Sequence, residues 1–478
     1  MTRPLPLLAA LLLVASIAQA EDSQLRRDAA DALKKTCQYF SSEVATEGGY
    51  LWRYSEDLKT REGEGKADDQ TVWVQPPGTP SVGLAFLDAY KATGDQFYLD
   101  LAKQAGHCLV RGQLRSGGWD YRIVFDEKAR TGYAYRVDKP VEGKSQRNTS
   151  TLDDNTTQAA LRLLMALDET LRQSDAAIHE AATTGLETLL KVQYPIGAWP
   201  QRFTGPPDPD KYPVLKASYP ESWSREFPKV DYKDFYTFND NAMADVIDVM
   251  FEAADRYGDQ RYRQAAERAG NFMILAQMPE PQPGWAQQYD PQMHPAWARK
   301  FEPPSITGGE SQGVMRTLMQ IYRRTGDKKY LEPIPQALAY YRKSLRPDGR
   351  LARFYELQTN RPLYFTVDYQ LTYSDADMPT HYSFVVGSGL DRIEREYEQV
   401  SKLPADELLP KPKTGKQKAS SGMEKQVQGV LSKLDSQGRW LEKGRLKYHG
   451  DDDPTERVLD CSTFVSNVRA LAAYLATE

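Results

Sequence analysis

The sequence predicts an all-α fold: an incomplete (α/α) toroid of helical hairpins, with long loops carrying the site at one end. Three observations predict it. The pattern Gly-Asp-x-x-Tyr occurs at Gly94–Tyr98, Gly258–Tyr262 and Gly326–Tyr330, each time between two amphipathic runs. Apolar residues recur at helical spacing, as Val246, Ile247, Met250 and Phe251 do. The loops repeat as well. Gln75-Pro76-Pro77 with Ser81-Val82-Gly83 echoes Glu302-Pro303-Pro304 with Ser311-Gln312-Gly313, and Thr151-Leu152-Asp153-Asp154-Asn155 echoes Thr237-Phe238-Asn239-Asp240-Asn241. Helical hairpins that recur along a chain stack into a ring or solenoid rather than a sheet.

The elements follow in order. Residues 1–20 read as a signal peptide, with Arg3, the apolar run Leu5 to Ile17 and the small-residue site Ala18-Gln19-Ala20. No later apolar run approaches the roughly 20 residues that span a bilayer, so the mature chain is expected to be exported, periplasmic or secreted, with no membrane partner. The toroid is expected over 21–400, starting with a helix from Gln24 to Phe40. In each joint the Gly is read as a left-handed cap and the Asp as the N-cap of the next helix. A Gly, usually with a Trp close behind, follows each second helix: Gly118-Trp119, Gly197-Ala198-Trp199 and Gly284-Trp285. Strand character is expected only at Leu351 to Tyr355 and Pro362 to Val367. Thr204 to Asp234, with six prolines, reads as an excursion over the surface. Residues 401–422 read as a linker rich in Lys, Pro and Ser. In the last segment, 423–478, the run Ser462 to Leu475 is expected to close the ring against the first helix.

Composition limits the function. The chain of 478 residues carries 61 Lys+Arg and 66 Asp+Glu, a net charge of -5. That balance excludes a nucleic-acid binder held by bulk phosphate attraction. Five histidines without metal-ligand spacing exclude a His-built zinc site. Cys37, Cys108 and Cys461 fit no metal or redox motif and leave two readings open, one disulfide with a spare thiol or three buried thiols. A monomer is expected.

The chemistry-bearing residues fall in the loops. Capping explains one of Asp153 and Asp154, but not both together with a second copy at Asp240. Carboxylates and amide oxygens that converge in this way suit a hard cation such as Ca²⁺, which makes Asp153, Asp154 and Asp240 the metal candidates. Arg299, Arg353 and Arg361 stand beside aromatics and prolines. They are read either as surface stacking pairs or as forks for a carboxylate, held by Glu302, Glu310 or Glu356. Trp199, Arg202, Tyr355 and Glu310 complete the substrate-binding candidates. Trp199 has the alternative role of bracing a turn.

Several stretches resemble the pectate lyases of polysaccharide lyase family 10. They are Ser150-Thr151-Leu152-Asp153, Gln193-Tyr194-Pro195 with Gly197-Ala198-Trp199-Pro200-Gln201, Thr237 to Met243, Glu302-Pro303-Pro304-Ser305 with Glu310 to Val314, and Ala352 to Glu356 with Thr359-Asn360-Arg361-Pro362. They stand in the family's order across about residues 81 to 370. The resemblance implies a lyase that cleaves polygalacturonate or a related acidic polysaccharide by Ca²⁺-assisted β-elimination. It implies Asp153 and Asp240 at the calcium and substrate site, Arg299 on a substrate carboxylate, and Arg361 or Arg353 as an arginine base. The chain departs from the family where Asp154 adds a carboxylate, where Ala198 replaces a Gly, and in the 204–234 excursion. An inverting glycoside hydrolase using the same acids and a non-catalytic uronate-binding protein are the rival readings.

Overall fold

Helix α1 (24–39) opens the described part of the computed structural model, which covers residues 24–409 and 418–478. The expected signal peptide and the middle of the expected linker, 410–417, lie outside the described residues. Four hairpins follow α1. They pair α2 (Thr79–Thr93) with α3 (Gln96–Gly112), and, after the single turn α4 (Glu127–Arg130), α5 (Thr156–Thr170) with α6 (Ala176–Val192). The others pair α7 (Ala242–Tyr257) with α8 (Gln260–Leu275) and α9 (Glu310–Thr325) with α10 (Pro333–Lys343). Helices α11 (Leu390–Ser401), α12 (Ser421–Ser432) and α13 (Cys461–Leu475) complete the chain.

The joints before α3 and α8 form as the repeat predicts, while in the third Asp327 caps a 3-10 turn, Lys328–Tyr330, that precedes α10. Gly94, Gly258 and Gly326 take φ of 72°, 70° and 74°, a left-handed turn that costs a glycine little. The following Asp95, Asp259 and Asp327 accept the backbone N–H of Phe97, Arg261 and Lys329. The α5–α6 joint lacks the motif. There Arg172 and Gln173 take positive φ and Asp175 caps Ile178.

Helices α2, α5, α7, α9 and α11 pack side by side in series, and α13 flanks α2 on the other side. Helices α3, α6 and α8 form an outer row behind them. The first described helix meets the C-terminal one. The Phe464 ring stacks on Phe40 at 3.6 Å between centroids, and Arg26 donates to the carbonyls of Leu475 and Thr477. An antiparallel sheet joins Arg53–Ser55 to Arg457–Asp460, with Arg53 opposite Asp460.

The strands at Leu351–Ala352, Phe354–Tyr355 and Pro362–Phe365 lie where alternation suggested. Others were not foreseen. Two-residue ladders tie Ser150–Thr151 to Arg202–Phe203, Tyr236–Thr237 to Gln288–Tyr289, and Ile306–Thr307 to Phe354–Tyr355. A pair that short has no alternation to read. These ladders fix the loop entering each inner helix.

Two site candidates belong to the scaffold instead. Trp199 is buried, and its indole N–H donates to the Leu189 carbonyl at 2.8 Å, closing the loop onto the end of α6. Trp119, Trp285 and Trp440 do the same to Leu109, Met273 and Val430. A ring enclosed in this way offers no face to a sugar. Tyr355 is likewise buried, its hydroxyl donating to Ser344 O and accepting from Ala352 N. Tyr289 repeats that brace with Ala276 and Ala286.

The excursion is more than a surface loop. Tyr212 and Ala217 are buried, Ala217 N bonds to Leu275 O, and Phe227 packs beside Trp297. The segment is a strap pinned to the outer hairpins. All three cysteines are buried free thiols, and burial pushes Cys108 up to about 12. They are inert packing groups.

These roles set a stability expectation. Trp199→Ala should cost about 3–5 kcal/mol through cavity formation. Trp199→Phe, which loses mainly the N–H bond, should cost about 1–2 kcal/mol. Asp259→Ala should cost about 1 kcal/mol as a lost cap. Urea unfolding followed by far-UV circular dichroism measures all three.

Candidate functional site

The site is built from one turn used twice. In the first copy, Thr151 Oγ1 accepts the N–H of Asp153 at 3.1 Å, and Leu152 N bonds to Gln201 O. In the second, Thr237 Oγ1 accepts the N–H of Asn239 at 3.0 Å, and Phe238 N bonds to Gln287 O. The backbone then turns left-handed through two non-glycine residues. Asp154 and Asn155 have φ of 48° and 58°, and Asp240 and Asn241 have 49° and 57°. Such conformations are uncommon outside glycine, with Asn and Asp the most tolerant, and they cluster at functional sites. Each turn feeds directly into the N-terminus of α5 or α7, where free N–H groups favour negative charge.

The two turns bring three carboxylates together. One oxygen from each of Asp153, Asp154 and Asp240 lies within 4.8 Å of the others. Asp153 Oδ2 accepts from the Tyr121 hydroxyl at 2.7 Å and lies 3.9 Å from Arg202. Its Oδ1 is buried without a partner. Asp154 Oδ2 accepts from Gln75 Nε2 at 3.0 Å. Asp240, the most exposed of the three, lines the cleft and accepts from the side chain of its neighbour Asn239. Burial, then Asp153 and Asp240, push the Asp154 carboxyl up to about 7. Enclosure, then Asp153, raises Asp240. Crowded carboxylates with a buried, unpartnered oxygen fit a hard cation, which takes oxygen ligands and relieves the repulsion.

Arginines face the aspartates. Arg299 pairs with the buried Glu302 at 2.5 Å, and Arg353 with Glu310 at 2.6 Å. Burial alone would push Glu302 up, but Arg299 and Gln287 hold it below the usual carboxylate range. Burial disfavours the charged guanidinium of Arg299, yet Glu302 more than offsets it and raises the pKa. Arg353 is raised in the same way by Glu310 and Tyr382. A cleft of about 410 Å³ runs past Asp240, Glu310, Arg316 and Arg353.

The expected residues divide as follows. Asp153, Asp154 and Asp240 converge, Arg202 stands 3.9 Å from Asp153, and Arg299 and Arg353 lie within electrostatic reach of Asp240. Glu310, expected to touch substrate, instead has both oxygens engaged, one by Arg353 and one by Thr307. It holds an arginine. Glu356 holds neither Arg353 nor Arg361 but the strap's Arg225. Arg361 is exposed over the Tyr373 ring at 3.4 Å. Among the described residues no hydrogen bond or ion pair joins it to the aspartates. Sequence reasoning missed Tyr121, Gln75 and Tyr382. The Tyr382 hydroxyl accepts from Arg353 at 3.1 Å and donates to Glu302 at 3.0 Å, linking the two arginine pairs. Its segment lies past the repeats and carried no signal. Gln75 did carry one, since its loop echoes the Glu302 loop.

A carboxyl whose folded pKa lies above its unfolded value, about 3.9 for Asp, stabilises the fold while protonated. That contribution is lost as pH rises through the folded value. With Asp154 at about 7 and Asp240 raised, the cation-free protein should lose thermal stability from about pH 4 to about pH 8. Calcium should restore stability at pH 8 and do far less at pH 5, and Asp154→Asn should flatten the profile. Melting curves across pH, with and without calcium, check this.

Residues 113–350 match the family model of the pectic acid lyases. The match contains Asp153, Asp154, Asp240, Arg299 and Glu310 and ends before Arg353. It bears out the resemblance seen in the motifs and the lyase class of enzyme. No curated protein matches the chain. Among solved structures, a family 10 polysaccharide lyase from Cellvibrio cellulosa is similar at 20% identity and a TM-score of 0.45, over 68% of this chain and 97% of its own. A mutant of that lyase in complex with trigalacturonic acid is similar at 19% identity and a TM-score of 0.45, over 67% and 97%. An unsaturated glucuronyl hydrolase specific for heparin is similar at 12% identity and a TM-score of 0.40, over 95% and 97%.

Proposed function

We propose, from the premise that residues 113–350 belong to the pectic acid lyase family, that this protein is an exported monomer. It cleaves polygalacturonate or a related uronate polymer by Ca²⁺-assisted β-elimination. One observation carries the reading: three converging carboxylates, one with a buried unpartnered oxygen, face two arginines that are each fixed by their own glutamate.

Asp153, Asp154 and Asp240 would hold the calcium, which when bound supplies positive charge for a substrate carboxylate. Arg299, fixed by Glu302, presents a guanidinium to the same kind of group. The reaction removes the proton on C5, forms the C4–C5 double bond and breaks the bond from C4 to the glycosidic oxygen. Charge that builds on the C6 carboxylate during proton loss meets these preorganised cations. An arginine is proposed as the proton acceptor. Arg353 takes that place, because it reaches the aspartate cleft whereas Arg361 sits on Tyr373. Glu310 and Tyr382 keep Arg353 protonated, so the acceptor form requires its anionic surroundings to be neutralised first.

One observation favours a second reading. Asp154 at about 7, beside other carboxylates, has the character of a general acid in an inverting glycoside hydrolase.

Incubation with a panel of uronate polymers separates the two. The lyase reading expects ultraviolet absorbance from an unsaturated product, abolished by chelator. Arg353→Ala and Asp240→Ala should each lower kcat/KM about 10²- to 10³-fold. New reducing ends without absorbance, insensitive to chelator, would identify the hydrolase instead.

A further inference from the structure

We infer that Arg361, with Arg225 of the strap, forms an outer subsite for a uronate unit lying beyond the bond that is cleaved. The inference rests on the proposed uronate substrate.

The Arg361 guanidinium lies over the Tyr373 ring, 3.4 Å from its centroid. That ring is itself fixed, because its hydroxyl donates to Glu356 Oε1 at 2.7 Å. The same oxygen accepts from Arg225, and Glu356 Oε2 accepts from Thr359 at 2.5 Å. Burial works against the Glu356 charge, yet these bonds hold its carboxyl below the usual range. Both oxygens are therefore engaged, and Arg225 balances the charge. Arg361 is left exposed over an aromatic ring, with no acidic partner among the described residues. Arg225 also lies over the rings of Tyr373 and Trp223, at 5.1 and 5.6 Å. Two guanidinium groups beside two aromatic rings match an acidic sugar, which offers a carboxylate to a fork and a C–H face to a ring.

The strap connects this pair to the aspartate cleft. Glu356 N bonds to Arg361 O across the hairpin, and Arg353 lies three residues back along the strand. The register pairs Tyr355 with Pro362, so Arg361 shares the hairpin face of Glu356 and Arg353 the opposite one, and a ligand reaching both passes around the hairpin by way of the strap. The strap runs between the two regions. Arg225 grips Glu356, the Ser224 carbonyl accepts from Trp297, and Tyr232 feels the charges of Glu302, Arg299, Arg202 and Asp153. A polymer anchored at the aspartate cleft would meet Arg361 only if it extends past the central units.

The test compares Arg361→Ala and Arg361→Lys with the wild type on oligouronates of increasing length. It is paired with native affinity electrophoresis through gels that contain polygalacturonate. Melting temperature reports folding. Arg361→Ala should raise KM on long oligomers roughly tenfold, the worth of one charged hydrogen-bonded contact. It should leave kcat, and KM on the shortest cleaved oligomer, unchanged. It should also weaken gel retardation, with Arg361→Lys intermediate. Cleavage by the wild type with identical kinetics for Arg361→Ala at every length overturns the inference alone. An equal loss of kcat on short and long oligomers also overturns it, placing Arg361 at the reacting centre. A wild type that neither cleaves nor is retarded by any uronate polymer overturns the proposed substrate and this inference together.

Discussion

Repulsion among Asp153, Asp154 and Asp240 is the constraint around which the cleft is organised. Three carboxylates cannot all stay ionised within 4.8 Å without compensation. The chain supplies part of it from the backbone, through the N-termini of α5 and α7, and part from side chains. Tyr121 and Gln75 donate hydrogen bonds, and Arg202 stands near Asp153. None of these brings a full charge into contact with Asp154 or Asp240, so both remain raised. Arg299 and Arg353 lie close enough to be felt, but each is bound first to its own glutamate. Negative and positive charge therefore sit side by side without cancelling, an arrangement suited to a ligand that is itself anionic.

The hairpin ring makes that arrangement rigid. Inner helices begin at the cleft, and outer helices are locked behind them by repeated devices. One is a tryptophan N–H closing each outer helix end. Another is a glutamine after the outer helix: Gln113 donates to Gly117 and Ala181, and Gln193 to Gly197 and Ala265. Buried amides and indoles with both ends satisfied give a specific geometry as well as stability.

Much of this was legible. The Gly-Asp-x-x-Tyr joints could be read because a left-handed cap and an N-cap each demand a particular residue type. The aspartate turns could be read because the motif occurs twice. Tyr355 was misassigned, and Trp199 stayed open between two roles, because an aromatic in a loop looks the same in sequence whether it braces the loop or faces solvent. Only the hydrogen bonds of Trp199 to Leu189 and Tyr355 to Ser344 decide it. Arg353 and Arg361 were both visible, but which one faces the aspartates depends on a hairpin only a few residues long. Tyr382 was beyond reach, since nothing local marks a hydroxyl that joins two distant ion pairs.

The turn that enters α9 is a shortened version of the other two. Thr307 Oγ1 accepts the N–H of Gly309 as Thr151 and Thr237 accept theirs, and the third residue after each threonine is acidic: Asp154, Asp240 and Glu310. The outcome differs. Asp154 and Asp240 leave their carboxylates facing the cleft, whereas the Glu310 carboxylate is balanced by Arg353. A repeated fold can thus diversify its chemistry without new architecture. The same acidic position, used bare or capped by an arginine, gives neighbouring repeats a carboxylate or a balanced ion pair, and one partner residue decides which of the two a repeat displays.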